Sequence, residues 1–178
     1  SASRAATSAA LGRARSSTCS TGARMRPSAA ATDPMTASSS TSGAIVSGLQ
    51  DNGVAACGKH FPGHGDTSVD SHLDLPIVEH PPDRLRRVEF VPFREATRAG
   101  VAFIMTAHVL VPSLDEEKPA TLSGRTVRAL LREELGYEGV ILSDDLEMKA
   151  IARTYPAPDA AVQAIAAGCD GLLICSGD

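Results

Sequence analysis

The chain has 178 residues, of which 43% are hydrophobic and 3% aromatic, and it contains no tryptophan. This content excludes disorder of the whole chain, and the length suffices for one domain with a core of aliphatic side chains. The formal net charge of −4 gives no sign of nucleic-acid binding, and no apolar run reaches the length that spans a membrane.

The first 43 residues differ in composition from the rest of the chain. They are rich in Ser, Ala, Thr and Arg, and no acidic residue precedes Asp33. Because the segment shows neither helical nor strand periodicity, we expect residues 1–43 not to pack. Three explanations stay open: a disordered tail, a transit peptide of Arg- and Ser-rich composition, or a segment translated out of frame, with a frameshift near Ser42. The domain is therefore placed at residues 44–178.

Helices and strands alternate along the remainder of the chain. We predict helices over 43–53, 84–100, 121–136 and 157–168, and strands or strand ends over 54–61, 101–111, 139–148 and 169–176. Gly53 and Gly136 are predicted to end two of the helices, and Thr121 or Ser123 to cap the start of one. Pro92 must lie near the start of its helix or kink it.

The predicted strands are continuous apolar runs, which is typical of parallel strands buried on both faces. The pattern predicts an α/β fold, either a doubly wound sheet or a β/α barrel. In both architectures the chemistry lies at the carboxyl ends of the strands. The polar clusters fall there, as KHFPGHGD after the first strand, TAH at the second and SDD at the third.

Cys57, Cys169 and Cys175 lie in apolar runs, and their spacing matches no zinc ribbon or CxxC motif. We expect them to be buried, reduced thiols, which favours a cytoplasmic protein over a disulfide-bonded secreted one.

The loop after the first strand concentrates residues that can carry chemistry. It holds His60, His64 and His72 among several aspartates. Asp70 lies two residues before His72, so its carboxylate can accept the ring N–H, which fixes the tautomer and supports a ring that both gives and takes a proton. His60 and His64 have the helical spacing of metal ligands, but Pro62 and Gly63 between them disfavour a helix.

Two adjacent aspartates follow the third apolar run. An aspartate at the carboxyl end of a strand in this architecture is more often catalytic than structural. Neighbouring side chains point in different directions, so we assign Asp144 to the pocket and Asp145 to a supporting role, such as capping the following helix.

These motifs resemble the bacterial β-N-acetylglucosaminidases of glycoside hydrolase family 3. The matching stretches are GVAACGKHFPGHGDTSVDSHLDLP, AFIMTAHV, KPATLS and GYEGVILSDDLEMKAI. The resemblance implies Asp144 as the nucleophile, with His72 as acid/base and Asp70 as its partner. It implies that Lys59 and His60 bind sugar hydroxyls, and we predict His64 and His108 as further substrate-binding residues.

The family's fold is a (β/α)₈ TIM barrel, of which this chain carries about four of the eight β/α units. The implied activity is that of a retaining exo-β-N-acetylglucosaminidase, which releases terminal β-linked N-acetylglucosamine, typically from cell-wall muropeptide fragments. No metal and no organic cofactor are implied, and the expected partner is the carbohydrate substrate alone. We expect a monomer in the cytoplasm, without nucleic acid or membrane, and little or no turnover from a partial barrel by itself.

Two other functions stay open. The chain could be a non-catalytic remnant that holds sugar through Lys59 and His60. It could also be a metal-dependent hydrolase that uses His60, His64, Asp66 and His72.

Overall fold

The fold was analysed in a computed structural model, which describes residues 41–64, 67 and 74–176. The predicted segment 1–43 falls outside these residues except for its last three positions, which belong to the first helix. The nature of that segment and the boundary at residue 44 therefore stay predictions.

The described part of the chain alternates helices with strands, as the apolar pattern predicts. The elements run in the order α1 (Thr41–Gln50), β1 (Cys57–Phe61), α2 (Pro82–Arg87), α3 (Val91–Arg98), β2 (Phe103–Thr106), a 3₁₀ turn (Ala120–Leu122), a π-helix (Arg125–Glu134), β3 (Val140–Asp145), α4 (Lys149–Ala152), α5 (Ala157–Ala167) and β4 (Gly171–Leu173).

The four strands form one parallel sheet in the order β1-β2-β3-β4. Sequence neighbours are thus also neighbours in space, and each crossover carries at least one helix, which is the β/α repeat expected of a barrel or a doubly wound sheet. Since all strands run in the same direction, their carboxyl ends lie along one edge of the sheet. The α/β prediction is confirmed.

The core lies where the strands meet the helices. Ile104 of β2 and Ile141 of β3 are 0% exposed and are Cα partners across the sheet. Phe61 at the end of β1 is also 0% exposed, and its ring packs edge-to-face on Phe93 of α3, with 5.1 Å between the ring centroids. The aromatic contact fixes α3 against the strand that carries Lys59 and His60.

The predicted helix over 84–100 is wrong in one respect, because it is two helices separated by residues 88–90. Pro92 lies in the first turn of the second helix. Proline has no main-chain N–H, and the N–H groups of the first helical turn have no acceptor within the helix. Proline is therefore tolerated in that turn.

The caps of the next helix are partly as predicted. Ser123 Oγ accepts a hydrogen bond from the main-chain nitrogen of Thr126 at 3.3 Å, although the N-cap position of the π-helix is Gly124, which carries no side-chain cap. Thr121, the other candidate, is buried in the 3₁₀ turn and does not cap the helix. Gly53 and Gly136 follow their helices with φ of 78° and 66°, the left-handed conformation that favours glycine there.

The expectation of three buried thiols is confirmed for Cys169 alone. Cys57 and Cys175 are exposed, and all three are free of disulfides. Cys57 and Cys175 are exposed because Cys57 begins an edge strand of the described sheet and Cys175 lies in the loop beyond β4.

Candidate functional site

Residues from β1 and β3 meet at the carboxyl edge of the sheet. His60 lies near the end of β1, and Asp144 near the end of β3. His60 Nε2 is 3.7 Å from Asp144 Oδ2, and the side chains keep 30% and 17% of their surface exposed. The predicted nucleophile therefore lies beside a predicted sugar-binding histidine, and both remain open to a ligand.

The Asp144 carboxylate is held by the main chain that follows it. Asp144 Oδ1 accepts a hydrogen bond from the main-chain nitrogen of Asp145 at 2.9 Å, which leaves Oδ2 directed at His60. One oxygen is thus anchored while the other faces the site.

Asp145 has the predicted supporting role, but it does not cap the helix. Its Oδ1 accepts hydrogen bonds from the main-chain nitrogens of Glu147 and Cys175 at 3.1 and 3.3 Å. Helix α4 begins later, at Lys149, and Met148 stands at its cap. The Asp145 carboxylate joins the turn after β3 to the loop after β4.

The electrostatics of the site favour a neutral His60. Burial lowers the pKa of His60 and outweighs the Asp144 carboxylate, which acts to raise it. The Lys59 ammonium and the His64 ring also lower the pKa of His60. At neutral pH the His60 ring can therefore donate one hydrogen bond and accept another, as recognition of a sugar hydroxyl requires.

His64 lies close to this pair. Its ring centroid is 6.2 Å from that of His60, and its Nδ1 is 3.1 Å from Thr67 Oγ1. His64 Nε2 is buried and has no hydrogen-bond partner among the described residues. The peptide bonds Lys59–His60 and Phe61–Pro62 are both cis.

These residues share a cavity of about 1260 Å³. Lys59, His60, His64 and Asp144 all contribute to its lining. An ion pair that the sequence analysis missed lies in the same wall: Arg84 Nη2 is 3.1 Å from Glu89 Oε1. The two positions are five apart in the sequence and lie on either side of the end of α2, so helical spacing gave no signal for the pair.

His108, which was predicted to bind substrate, lies outside the lining of the cavity. It is fully buried, and its two ring nitrogens are engaged by Thr121 Oγ1 and the main-chain oxygen of Asp145. Neither nitrogen is available to a sugar in this arrangement, so we assign His108 to the support of the site.

The predicted acid/base pair lies outside the described residues. Asp70 and His72 are both among the positions 68–73, so their geometry stays a prediction. Asp66, one of the four proposed metal ligands, is also outside. Across the part of the chain that is described, no group of three or more His, Cys, Asp or Glu side chains is arranged to hold a metal ion.

Residues 28–178 match the model of the glycosyl hydrolase family 3 N-terminal domain. The chain belongs to this family. It is 47% identical over 131 residues to a beta-hexosaminidase of Alkalilimnicola ehrlichii, which covers 74% of this chain and 37% of the relative. The family 3 chain thus spans well under half the length of that relative.

Solved structures agree with this assignment. A family 3 beta-N-acetylglucosaminidase from Paenibacillus sp. is 53% identical, with a TM-score of 0.73, over 74% of this chain and 25% of that one. NagZ from Neisseria gonorrhoeae, solved with N-trifluoroacetyl-D-glucosamine, is 41% identical with a TM-score of 0.64, over 75% of this chain and 37% of that one. The four parallel β/α units are thus part of a TIM-barrel domain, as predicted.

Within the described residues, the helices are too short or too polar for any of them to cross a lipid bilayer.

Proposed function

We propose that the natural protein carrying this chain is a retaining exo-β-N-acetylglucosaminidase with Asp144 as its nucleophile. One observation carries the proposal: the Asp144 carboxylate ends β3 inside the cavity, anchored through one oxygen and facing His60 with the other. Among the matched relatives, the Neisseria enzyme was solved with a derivative of glucosamine, which supports the same class of sugar for this chain.

In the proposed reaction, Asp144 Oδ2 attacks the anomeric carbon as the bond to the leaving oxygen breaks. His72, paired with Asp70, donates its proton to that oxygen. Water then attacks the same carbon of the covalent glycosyl-enzyme, gives its proton to His72 and releases Asp144 as a carboxylate. A histidine is neutral as a base, so it does not add a second negative charge beside a nucleophile that must stay anionic.

The residues around Asp144 supply groups that bind the sugar. Lys59 and the neutral His60 ring offer donors and an acceptor for sugar hydroxyls at the carboxyl end of β1. His64 presents its buried Nε2 nearby. Binding groups placed on a strand and its exit loop hold the anomeric carbon within reach of the nucleophile, which is where much of the rate enhancement of such enzymes arises.

The substrate proposed for this site is a terminal β-linked N-acetylglucosamine of a muropeptide fragment, in cell-wall recycling. We further propose a cytoplasmic monomer. Light scattering of the natural protein tests the monomer, and fractionation of the source cells tests the compartment.

The experiment for the reaction uses a 4-nitrophenyl N-acetyl-β-D-glucosaminide and the full natural protein. Asp144→Ala is expected to lower turnover by about 10³-fold or more, because the covalent step is removed. Azide should restore release of nitrophenolate and leave an α-glycosyl azide, since it attacks the face that the carboxylate has vacated. The matched control, Asp159→Asn on the exposed surface of α5, should leave turnover unchanged.

Three outcomes would contradict the proposal. A β-configured azide product would assign the nucleophile elsewhere. Sugar binding without turnover in the unsubstituted protein would identify a non-catalytic sugar-binding protein. Activity lost to a chelator and restored by a divalent metal would favour the metal-dependent alternative.

A further inference from the structure

One buried histidine at the site has no part in the proposed reaction. His108 follows β2 at the carboxyl edge of the sheet and is 0% exposed. Its Nδ1 lies 2.9 Å from Thr121 Oγ1, and its Nε2 lies 2.9 Å from the main-chain oxygen of Asp145. The ring thus joins the chain after β2 to the end of β3.

The partner of Nε2 determines where the ring carries its proton. A carbonyl oxygen can only accept, so His108 Nε2 must donate to Asp145. In the neutral ring, Nδ1 is then an acceptor, and the one hydrogen of the Thr121 hydroxyl is shared between Nδ1 and the main-chain oxygen of Ala107, which lies 3.0 Å from Thr121 Oγ1. Thr106 Oγ1 lies 2.9 Å from Thr121 Oγ1 and can donate to it in turn. Whichever acceptor the Thr121 hydroxyl serves, the Asp145 carbonyl requires the proton on His108 Nε2.

Burial supports the neutral form. It lowers the pKa of His108 and outweighs three effects that raise it, namely the hydrogen bond to the Asp145 carbonyl and the charges of the Asp144 and Asp145 carboxylates. The His60 ring lowers the pKa of His108 further. The ring is therefore neutral in the neutral pH range, and its contact with the Asp145 carbonyl places the one ring proton on Nε2.

The bond from His108 reaches the nucleophile through one residue. The Asp145 carbonyl accepts a hydrogen bond from His108 Nε2, and the Asp145 main-chain nitrogen donates one to Asp144 Oδ1. The Asp145 carboxylate accepts hydrogen bonds from the main-chain nitrogens of Glu147 and Cys175. We propose that His108 is a positioning residue, which holds the Asp145 main chain and thereby sets the direction of the Asp144 carboxylate. The proposal rests on the proposed function, in which Asp144 is the nucleophile.

Two amide variants separate this role from a general contribution to packing. In His108→Gln the side-chain NH₂ can occupy the place of Nε2 and keep the donor to the Asp145 carbonyl. In His108→Asn the amide can occupy the place of Nδ1, so it keeps contact with Thr121 but is too short to reach Asp145. The two variants carry similar groups and differ in which of the two hydrogen bonds survives.

The first measurement does not depend on turnover. Amide hydrogen exchange at Asp145 should be about tenfold faster or more in His108→Asn than in the unsubstituted protein, because the main chain is no longer held. In His108→Gln it should stay within about threefold. In the unsubstituted protein, ¹⁵N spectra of His108 should report a neutral ring with its proton on Nε2.

The second measurement is the split between kcat and KM. His108→Asn should lower kcat by about 100-fold with little change in KM, because a nucleophile displaced by about 1 Å reacts slowly while the sugar still binds. His108→Gln should recover most of kcat. Equal loss in both variants, at matched thermal stability, would assign His108 to packing and overturn the proposal.

The two measurements distinguish failure of the proposed function from failure of the positioning role. If the unsubstituted protein hydrolyses no N-acetylglucosaminide, the proposed function fails, and exchange at Asp145 still decides whether His108 holds that main chain. If turnover is present but exchange at Asp145 is equal in the two variants, or the ring carries its proton on Nδ1, the positioning role is refuted and the proposed function stands.

Discussion

The contact between Phe61 and Phe93 can be measured as a free energy. The Phe61 ring is 0% exposed, and it meets the Phe93 ring at an interplanar angle of 89° with 5.1 Å between centroids. Such an edge-to-face pair contributes about 0.5–1.5 kcal/mol beyond the burial of its surface. Phe61→Leu keeps an apolar side chain but a smaller one, and the lost burial and residual cavity add a cost of about 0.5–1.5 kcal/mol. We therefore expect Phe61→Leu to lower the free energy of unfolding by about 1–3 kcal/mol.

A double-mutant cycle isolates the aromatic contribution. Phe61→Leu, Phe93→Leu and the double variant are unfolded in urea and followed by circular dichroism, because the chain contains no tryptophan for fluorescence. The coupling between the two positions should be about 0.5–1.5 kcal/mol. Phe103→Leu on β2, where the ring is half-buried, is the control and should cost less than about 1 kcal/mol. A coupling below about 0.3 kcal/mol would refute the claim that this ring pair fixes α3 on the site strand.

Three further predictions concern stability. Ser123→Ala should cost about 1 kcal/mol in urea unfolding because it removes a buried hydroxyl that donates to Asp115 Oδ2 and accepts from the Thr126 nitrogen, and an unchanged midpoint would contradict that role. Arg132→Lys should cost about 1–2 kcal/mol because Arg132 binds two main-chain carbonyls together with the Asp170 carboxylate, whereas Arg153→Lys, at an exposed pair, should cost nothing measurable. Because burial lowers the pKa of His108, the unfolded chain takes up this proton first as the pH falls. The stability from the neutral ring is present above about pH 6.5 and declines below it, so urea midpoints at pH 7.5 and 5.5 should differ less in His108→Gln than in the unsubstituted protein.

The positions that depend on local pattern were predictable from the sequence. The apolar runs located the four strands, and the rule that chemistry lies at the carboxyl ends of parallel strands placed Asp144 in the cavity beside His60. Pro92 was predicted to lie near the start of a helix or to kink it, because proline has no N–H for the hydrogen bonds of a helix interior. It lies in the first turn of α3.

The positions that depend on distant partners were not predictable in this way. His108 was predicted to touch substrate, since a histidine after a strand is a reasonable ligand. Its true partners lie 13 and 37 residues away in the sequence, at Thr121 and Asp145. Thr121 was considered as a helix cap for its hydroxyl, but that hydroxyl serves the buried histidine. No local pattern reports which of two polar residues will meet inside a fold.

The turn after β3 and the loop after β4 are fastened to each other twice. Asp145 Oδ1 accepts the main-chain nitrogen of Cys175, and the carboxylate of Glu147 accepts both the main-chain nitrogen and the hydroxyl of Ser176. A graft that replaces only the turn after β3 and loses these two carboxylates would leave the main-chain nitrogens of Cys175 and Ser176 without their acceptors. A redesign of this edge of the sheet should therefore exchange the turn after β3 and the loop after β4 together, because each supplies hydrogen-bond partners to the other.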